Sequence, residues 1–489
     1  MEHAHRKMNI YEEAIHCLMC LDAPCTKACK TGDPARAIRA IRFDNHKPAL
    51  QWVKDCSDED LERAEQACIH YNSPIRIRSL IRSILDDDVD NSHYPDLSID
   101  FCGIKCENPF FLASSAVCTN YEMVAHAFDM GWAGVFYKTI CLEDIYEVSP
   151  RFDAMYAAAR GDFYGFRNME QLSENSVEVD FDILRRLKRD YPTKIVVASI
   201  MGKTEEEWAT LAKMAQEAGC DAVELNFSCP QMKTEGMGSD VGQSPELVEA
   251  FTACVKRAVT IPVIAKMTPN ITHITEPAEA SLQGGADALS AINTIKSVTM
   301  SQKAEVSDQR TVSGYSGRAV RPIALRHVLE MAQMPQKPVL SGIGGIETWR
   351  DALEFIQLGC SNVQVCTAVM QYGYRIIDDL ILGLQRYMVK CGVTRLQELV
   401  GEQLPSFTKP SHLNRTTIVY PKFNAEQCVG CGRCAISCSD GGHQAIVFDV
   451  EARRPHLVGT KCVGCHLCRL VCPTGAIGLS KRVEKKSAK

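Results

Sequence analysis

The chain has 489 residues, 54 of them Lys or Arg and 60 Asp or Glu, for a net charge of −6. That length exceeds one ordinary domain and supports a sizeable core. The interspersed charge argues against a nucleic-acid surface. No apolar run reaches membrane-spanning length, and Met1 to Lys7 is polar and His-rich, unlike a signal peptide. Six of the 24 cysteines precede residue 70, eight follow residue 427 and ten are scattered singly. Scattered cysteines are the usage of a reducing compartment, so a soluble, cytoplasmic protein is expected.

Residues 1 to 90 read as a polar helical segment with its cysteines clustered early, and Asp86 to Ser92 reads as a linker. From 96 to 400 short β-branched runs alternate with amphipathic helices. The runs are Phe110–Ser115, Gly134–Thr139, Lys194–Ile200, Ala222–Ser228, Pro262–Met267, Ala286–Thr294, Val339–Gly344 and Asn362–Ala368. Eight such units predict a (β/α)8 barrel. Leu97–Asn108 alternates around Cys102-Gly103 and predicts a hairpin on the barrel floor, whereas Ile140–Asn175 is too long for a simple connection and is expected at the active-site end.

In such barrels the site lies at the C-terminal ends of the strands. Those ends read Ala113-Ser114, Lys138-Thr139, Asn226 to Cys229, Lys266, Asn293-Thr294, Gly344-Gly345 and Cys366-Thr367. Polar residues recurring in phase with the strands are hard to explain by packing. Gly342, Gly344 and Gly345, with the segment entering the last helix, suggest a phosphate cradle, although glycines also serve simple tight turns. No G-x-G-x-x-G follows a strand, so flavin mononucleotide (FMN) fits better than a dinucleotide. Lys266 would place a fixed positive charge near the flavin N1 and C2 carbonyl. Cys229, at the root of a glycine-bearing loop running to Gly242, suits a general acid opposite the flavin. Its neighbours Ser228 and Pro230 suggest that it is exposed; a buried structural thiol is the alternative.

Residues 415 to 489 form a ferredoxin-like tail. Cys428, Cys431, Cys434 and Cys438, then Cys462, Cys465, Cys468 and Cys472, give C-x2-C-x2-C-x3-C twice. In that pattern the fourth cysteine of each motif ligates the other cluster. Two [4Fe–4S] clusters are therefore expected, one on Cys428, Cys431, Cys434 and Cys472, the other on Cys462, Cys465, Cys468 and Cys438. Structural zinc is the alternative.

The strand ends, together with Phe166 to Glu170, Asn226 to Pro230, Ala265 to Asn270, Ser313 to Gly317 and Ser341 to Glu347, resemble the flavin domain of the dihydropyrimidine dehydrogenase family. The resemblance runs from residue 96 to about 480 and includes the tail, which related dihydroorotate dehydrogenases lack. It implies pyrimidine contacts from Asn168, Glu170, Asn226, Ser228, Asn293 and Thr294, and Cys229 as proton donor. Flavin contacts are implied for Lys138, Lys266, Gly317, Gly344, Gly345, Cys366 and Thr367, beside the strand-end residues Ala113, Ser114 and Thr139.

Cys17, Cys20, Cys25 and Cys29 reproduce the start of that family's N-terminal iron–sulfur domain, with only Cys56 and Cys68 as further candidates. Three readings stay open: a third [4Fe–4S] cluster on Cys17, Cys20, Cys25 and Cys68, a vestigial module without a cluster, or two clusters. The implied activity is reversible reduction of uracil or thymine to the 5,6-dihydropyrimidine, with hydride from flavin N5 to ring C6 and a proton from Cys229 to C5. Electrons would come from an FAD- and NAD(P)-binding partner subunit, within an oligomer. A dihydroorotate dehydrogenase-like flavoenzyme and a non-catalytic electron-transfer protein are the rivals.

Overall fold

The structure is a computed structural model that describes residues 10–85, 93–156, 163–230, 237–299 and 311–485. The expected linker at 86–92 lies outside the described residues. The chain divides into two compact units, residues 1–404 and 405–489.

The first unit is built on a closed eight-stranded parallel barrel. Its strands are β1 (Phe110–Leu112), β2 (Gly134–Phe136), β3 (Ile195–Ile200), β4 (Ala222–Asn226), β5 (Val263–Lys266), β6 (Ala288–Ala291), β7 (Val339–Ile343) and β8 (Cys360–Val365). Neighbours in sequence are neighbours in the barrel, and β8 closes on β1. All eight expected strands are present. Most are buried along their whole length, because helices cover one face and packed side chains the other, which is why they read as continuous apolar runs.

A helix follows each strand, and the turn into it is often sealed by a short polar side chain. Asn120, Ser176, Thr204, Ser244 and Thr348 each accept a hydrogen bond from the backbone N–H three residues on. These caps satisfy N–H groups that have no partner inside the helix. At the opposite end, Ile99–Phe101 pairs antiparallel with Ile104–Cys106. Cys102 and Gly103 both adopt positive φ, as a two-residue hairpin turn requires. The Cys102 thiol reaches the Asp287 carbonyl just before β6, placing the hairpin on the barrel floor.

Across the mouth lies a second sheet. Its strand order is Ile295–Ser297, Ser313–Ser316, Phe163–Asn168, Phe152–Tyr156, all antiparallel. The expected decoration between β2 and β3 thus pairs with the connection between β6 and β7. Sequence patterning did not indicate this pairing.

The N-terminal helices dock on the barrel helix Ile377–Cys391. Arg39 Nε lies 2.7 Å from Asp379 Oδ2, and Arg36 and Arg39 both reach Asp378 at 3.2 Å. The Asn45 amide donates to the Asp379 carbonyl at 2.8 Å. Burial pushes the Asp379 carboxyl up to about 6, against the pull of Arg39.

In the second unit, Pro421–Phe423 pairs with Ile477–Leu479, and Ile446–Asp449 with Arg454–Leu457. The core there is small, and Cys434, Cys438 and Cys468 belong to it.

Candidate active site

One cavity of about 1160 Å³, its open mouth included, sits at the C-terminal ends of the barrel strands. Ala113 and Ser114 after β1, Lys138 and Thr139 after β2, Asn226 at the end of β4 and Cys229 beyond it all line the cavity. So do Lys266 at the end of β5, Asn293 and Thr294 after β6, Gly344 and Gly345 after β7, and Cys366 and Thr367 after β8. The mouth sheet and the segments leaving it add Asn168, Glu170 and Gly317, together with Phe152, Phe163, Phe166 and Tyr315. These aromatic rings make one wall apolar, a setting suited to a flat ring.

Ser228 is the exception. It is fully buried behind the wall, where its hydroxyl donates to Asn226 Oδ1 and accepts from Asn293 Nδ2, both at 2.8 Å. It therefore sets the orientation of the two carboxamides. Thr139 is a second hub. Its hydroxyl lies 3.0 Å from the Ser114 hydroxyl and 2.9 Å from that of Ser199, and accepts from Asn226 Nδ2 at 2.9 Å. Asn293 is further fixed by the Thr294 N–H, which donates to its side-chain Oδ1 at 2.7 Å. With their donors and acceptors already oriented, these groups lose little freedom on binding a polar ring.

Cys229 is 5% exposed, which corrects the expectation of an exposed thiol. The burial is from bulk solvent: the residue lines the cavity, and the Ser239 N–H donates to its backbone carbonyl at 2.9 Å, bringing Ser239 beside it. Residues 231–236 of that loop lie outside the described residues.

Gly344 and Gly345 take φ of +127° and +75°. A Cβ on Gly344 would stand 2.9 Å from Ala324 Cβ, and one on Gly345 2.9 Å from both Arg321 Cβ and the Gly317 carbonyl. Only glycine gives this close backbone approach. Gly342 has a different role: its Cβ would strike Phe355 at 2.6 Å, so it serves packing and not the cradle.

Both buried lysines are paired. Lys138 Nζ lies 3.0 Å from Glu170 Oε1, and Lys266 Nζ 3.3 Å from Glu224 Oε1. Glu224 also accepts from the Ser199 hydroxyl at 3.1 Å and the Ser290 hydroxyl at 2.8 Å. Sequence reading missed Glu224; the available signal was an acid inside the apolar run of β4. It also missed Arg151, whose guanidinium reaches Glu170 at 3.5 Å and Glu174 at 2.5 Å. Arg318 at the cradle, 3.7 Å from Glu347, was missed as well.

In the tail, Cys428, Cys431, Cys434 and Cys472 line one hollow. The Cys468 thiol, raised to about 11 by burial, feels Cys465, Cys434 and Cys438 as its neighbours. The Ala445 N–H points to the Cys438 sulfur at 3.3 Å and the Gly464 N–H to that of Cys462 at 3.4 Å. Near the N-terminus, Cys17, Cys20, Cys25 and Cys68 line a shared cavity with Met130, Arg375 and Asp378. Cys29 and Cys56 form a separate pair, their sulfurs 3.5 Å apart.

Comparison with known proteins agrees with this architecture. The dihydroorotate dehydrogenase family profile matches residues 96–388, and a 4Fe-4S dicluster domain matches residues 422–479. The NAD-dependent dihydropyrimidine dehydrogenase subunit PreA of Escherichia coli is 52% identical over 402 residues, which span 81% of this chain and 98% of that one. The chloroplastic dihydropyrimidine dehydrogenase (NADP(+)) of Arabidopsis thaliana is 40% identical over 65% of this chain and 79% of its own. The catalytic subunit of dihydroorotate dehydrogenase B (NAD(+)) from Pyrococcus abyssi is 38% identical over 62% of this chain and 98% of its own. The crystal structure of a dihydroorotate dehydrogenase from Eimeria tenella shares the fold, with a TM-score of 0.54, 19% identity, and coverage of 64% of this chain and 90% of that one. The chain belongs to the dihydropyrimidine dehydrogenase family, built on the dihydroorotate dehydrogenase barrel and extended by an iron–sulfur tail.

Proposed function

We propose that the chain is the catalytic subunit of an NAD-linked dihydropyrimidine dehydrogenase, interconverting uracil or thymine with the 5,6-dihydropyrimidine. One observation carries the reading: Asn168, Glu170, Asn226, Asn293, Thr294 and Cys229 open on the same cavity as the Gly344-Gly345 cradle. Carboxamides offer both donor and acceptor, matching a ring of alternating C=O and N–H groups.

The residues fit FMN. The glycine cradle would hold the phosphate, with Gly317, Cys366 and Thr367 beside it, while Ala113, Ser114, Lys138, Thr139 and Lys266 would face the ring system. A bound flavin supplies two-electron hydride chemistry, and the [4Fe–4S] clusters admit electrons singly. The chain's own residues do the rest. Asn226, Asn293 and Thr294 hold the pyrimidine edge, Ser228 keeps the two carboxamides in register, and the Cys229 thiol delivers or accepts the proton at C5. With 5% exposure, Cys229 works shielded from bulk water.

No dinucleotide fingerprint follows a strand, which supports an FAD- and NAD(P)-binding partner subunit as electron donor. All 24 cysteines stand outside disulfides, in keeping with a reducing compartment such as the cytoplasm. No helix among the described residues is long and apolar enough to cross a membrane.

The N-terminal cavity would hold a third cluster on Cys17, Cys20, Cys25 and Cys68. Anaerobically purified protein should then contain about twelve irons per chain, falling to about eight in Cys25→Ala; about eight in both would rule the third cluster out. The reading as a whole is tested by supplying a reduced viologen as artificial donor. Uracil should be consumed with donor oxidation, while NADH alone should give no appreciable turnover. Donor oxidation without loss of any pyrimidine would favour an electron-transfer protein instead.

A further inference from the structure

We infer that Glu170 sets the site's preference for an uncharged pyrimidine over one that carries a carboxylate, by neutralising Lys138. This rests on the reading of the cavity as a pyrimidine site. Among the described residues, three cationic side chains line the cavity: Lys138, Lys266 and Arg318. Each is matched by an acid, at 3.0 Å (Glu170), 3.3 Å (Glu224) and 3.7 Å (Glu347). The first two pairs are buried. Lys138 and Lys266 side chains are each 4% exposed, against 11% for Glu170 and 0% for Glu224.

The two buried pairs differ in position. Glu224 lies inside the barrel, held by two serine hydroxyls, and does not line the cavity. Glu170 lines it directly, on the segment that leaves the mouth sheet, and Arg151 holds it from behind at 3.5 Å. An incoming carboxylate would have to displace Glu170 from Lys138, or be desolvated beside a second carboxylate with no surplus cation among the described residues, and either is costly. A neutral ring meets no such penalty, and its N–H can donate to Glu170. Related barrels whose names specify dihydroorotate act on a ring bearing one carboxylate. By this argument such a substrate needs a cation left unmatched, and here Glu170 removes it.

The test is equilibrium binding of uracil and orotate to the flavin-loaded protein, read from the perturbation of flavin absorbance. Wild type should bind uracil at least about 100-fold more tightly than orotate. In Glu170→Gln, Lys138 loses its counter-ion. Orotate affinity should rise at least about tenfold and uracil affinity should fall, as expected for changing one hydrogen bond to a charged group. Glu170→Asp keeps the charge and should keep the rejection of orotate. Glu170→Ala removes the same charge and serves if the Gln variant fails to hold flavin. If wild type binds uracil, yet neither neutral variant gains orotate affinity, the specificity role is overturned and the pyrimidine reading stands. If wild type binds no uracil, the pyrimidine reading itself fails and the inference falls with it.

Discussion

Replacing Cys229 with Ala should separate proton delivery from electron entry. The structure indicates that the change is local. The main chain at Cys229 is held by the Ser239 N–H on its carbonyl, at 2.9 Å, and the adjacent Ser228 hydroxyl is fixed between Asn226 and Asn293. None of these contacts uses the thiol. Removing one buried sulfur costs on the order of 1 kcal/mol of stability. Losing a positioned general acid costs about 10²–10⁴ in rate, or about 3–5 kcal/mol of barrier. Anaerobic rapid-mixing can follow the two events apart. Flavin content, uracil affinity and reduction by an artificial donor should stay within a few-fold of wild type, while turnover falls by at least about 100-fold. Cys229→Ser should retain part of the activity with a shifted pH optimum, since a hydroxyl is a far weaker acid than a thiol. Turnover of Cys229→Ala within a few-fold of wild type would refute the assignment and make the thiol structural.

Two further predictions concern the scaffold. Arg39→Ala leaves the buried Asp379 without its closest cation and should cost about 3–5 kcal/mol at pH 7.5. The Asp379 carboxyl titrates near 6 when folded, above its ordinary value of 3.8, so ionising it disfavours the fold: the stabilising neutral form is complete below about pH 4 and is lost as pH rises through about 6. The loss in thermal midpoint for Arg39→Ala should therefore be smaller at pH 5 than at pH 7.5, and an equal loss at both would contradict the raised titration of Asp379. Gly345→Ala forces a Cβ to 2.9 Å from the Gly317 carbonyl at a φ of +75°. Flavin affinity should drop by at least about tenfold, measured by fluorescence on flavin release, while Gly459→Ala, where φ is not positive and a Cβ meets nothing within 4 Å, should bind flavin as wild type does.

Much of the barrel was legible because parallel strands buried on both faces leave continuous apolar runs. All the observed strands except β3 end earlier than those runs. Lys138-Thr139 and Phe227-Ser228 leave the ladder to build the site, so each run joined scaffold to chemistry without marking the border. The mouth sheet was not legible. Its strands are short, the register shifts between Met155 and Tyr156, and the central pairing joins residues about 150 positions apart, which no local periodicity reports. Glu224 was hidden for a related reason: a single acid within a strand of the barrel wall carries no pattern until Lys266 is seen beside it. Cys229 shows the limit of reading exposure from neighbours. Ser228 and Pro230 suggest a surface, yet the fold turns Ser228 inward as a hydrogen-bond bridge and buries the thiol against the cavity. The docking of Arg36 and Arg39 on Asp378 and Asp379 joins segments about 340 residues apart, and neither segment alone announces the other.

The central claim is that this cavity exchanges electrons with an uncharged dihydropyrimidine. Anaerobic titration of the flavin-loaded protein with dihydrouracil tests it most directly. The account predicts that dihydrouracil bleaches the oxidised-flavin absorbance and yields uracil, while dihydroorotate at the same concentrations does neither. Bleaching by dihydroorotate with none by dihydrouracil or dihydrothymine would contradict it.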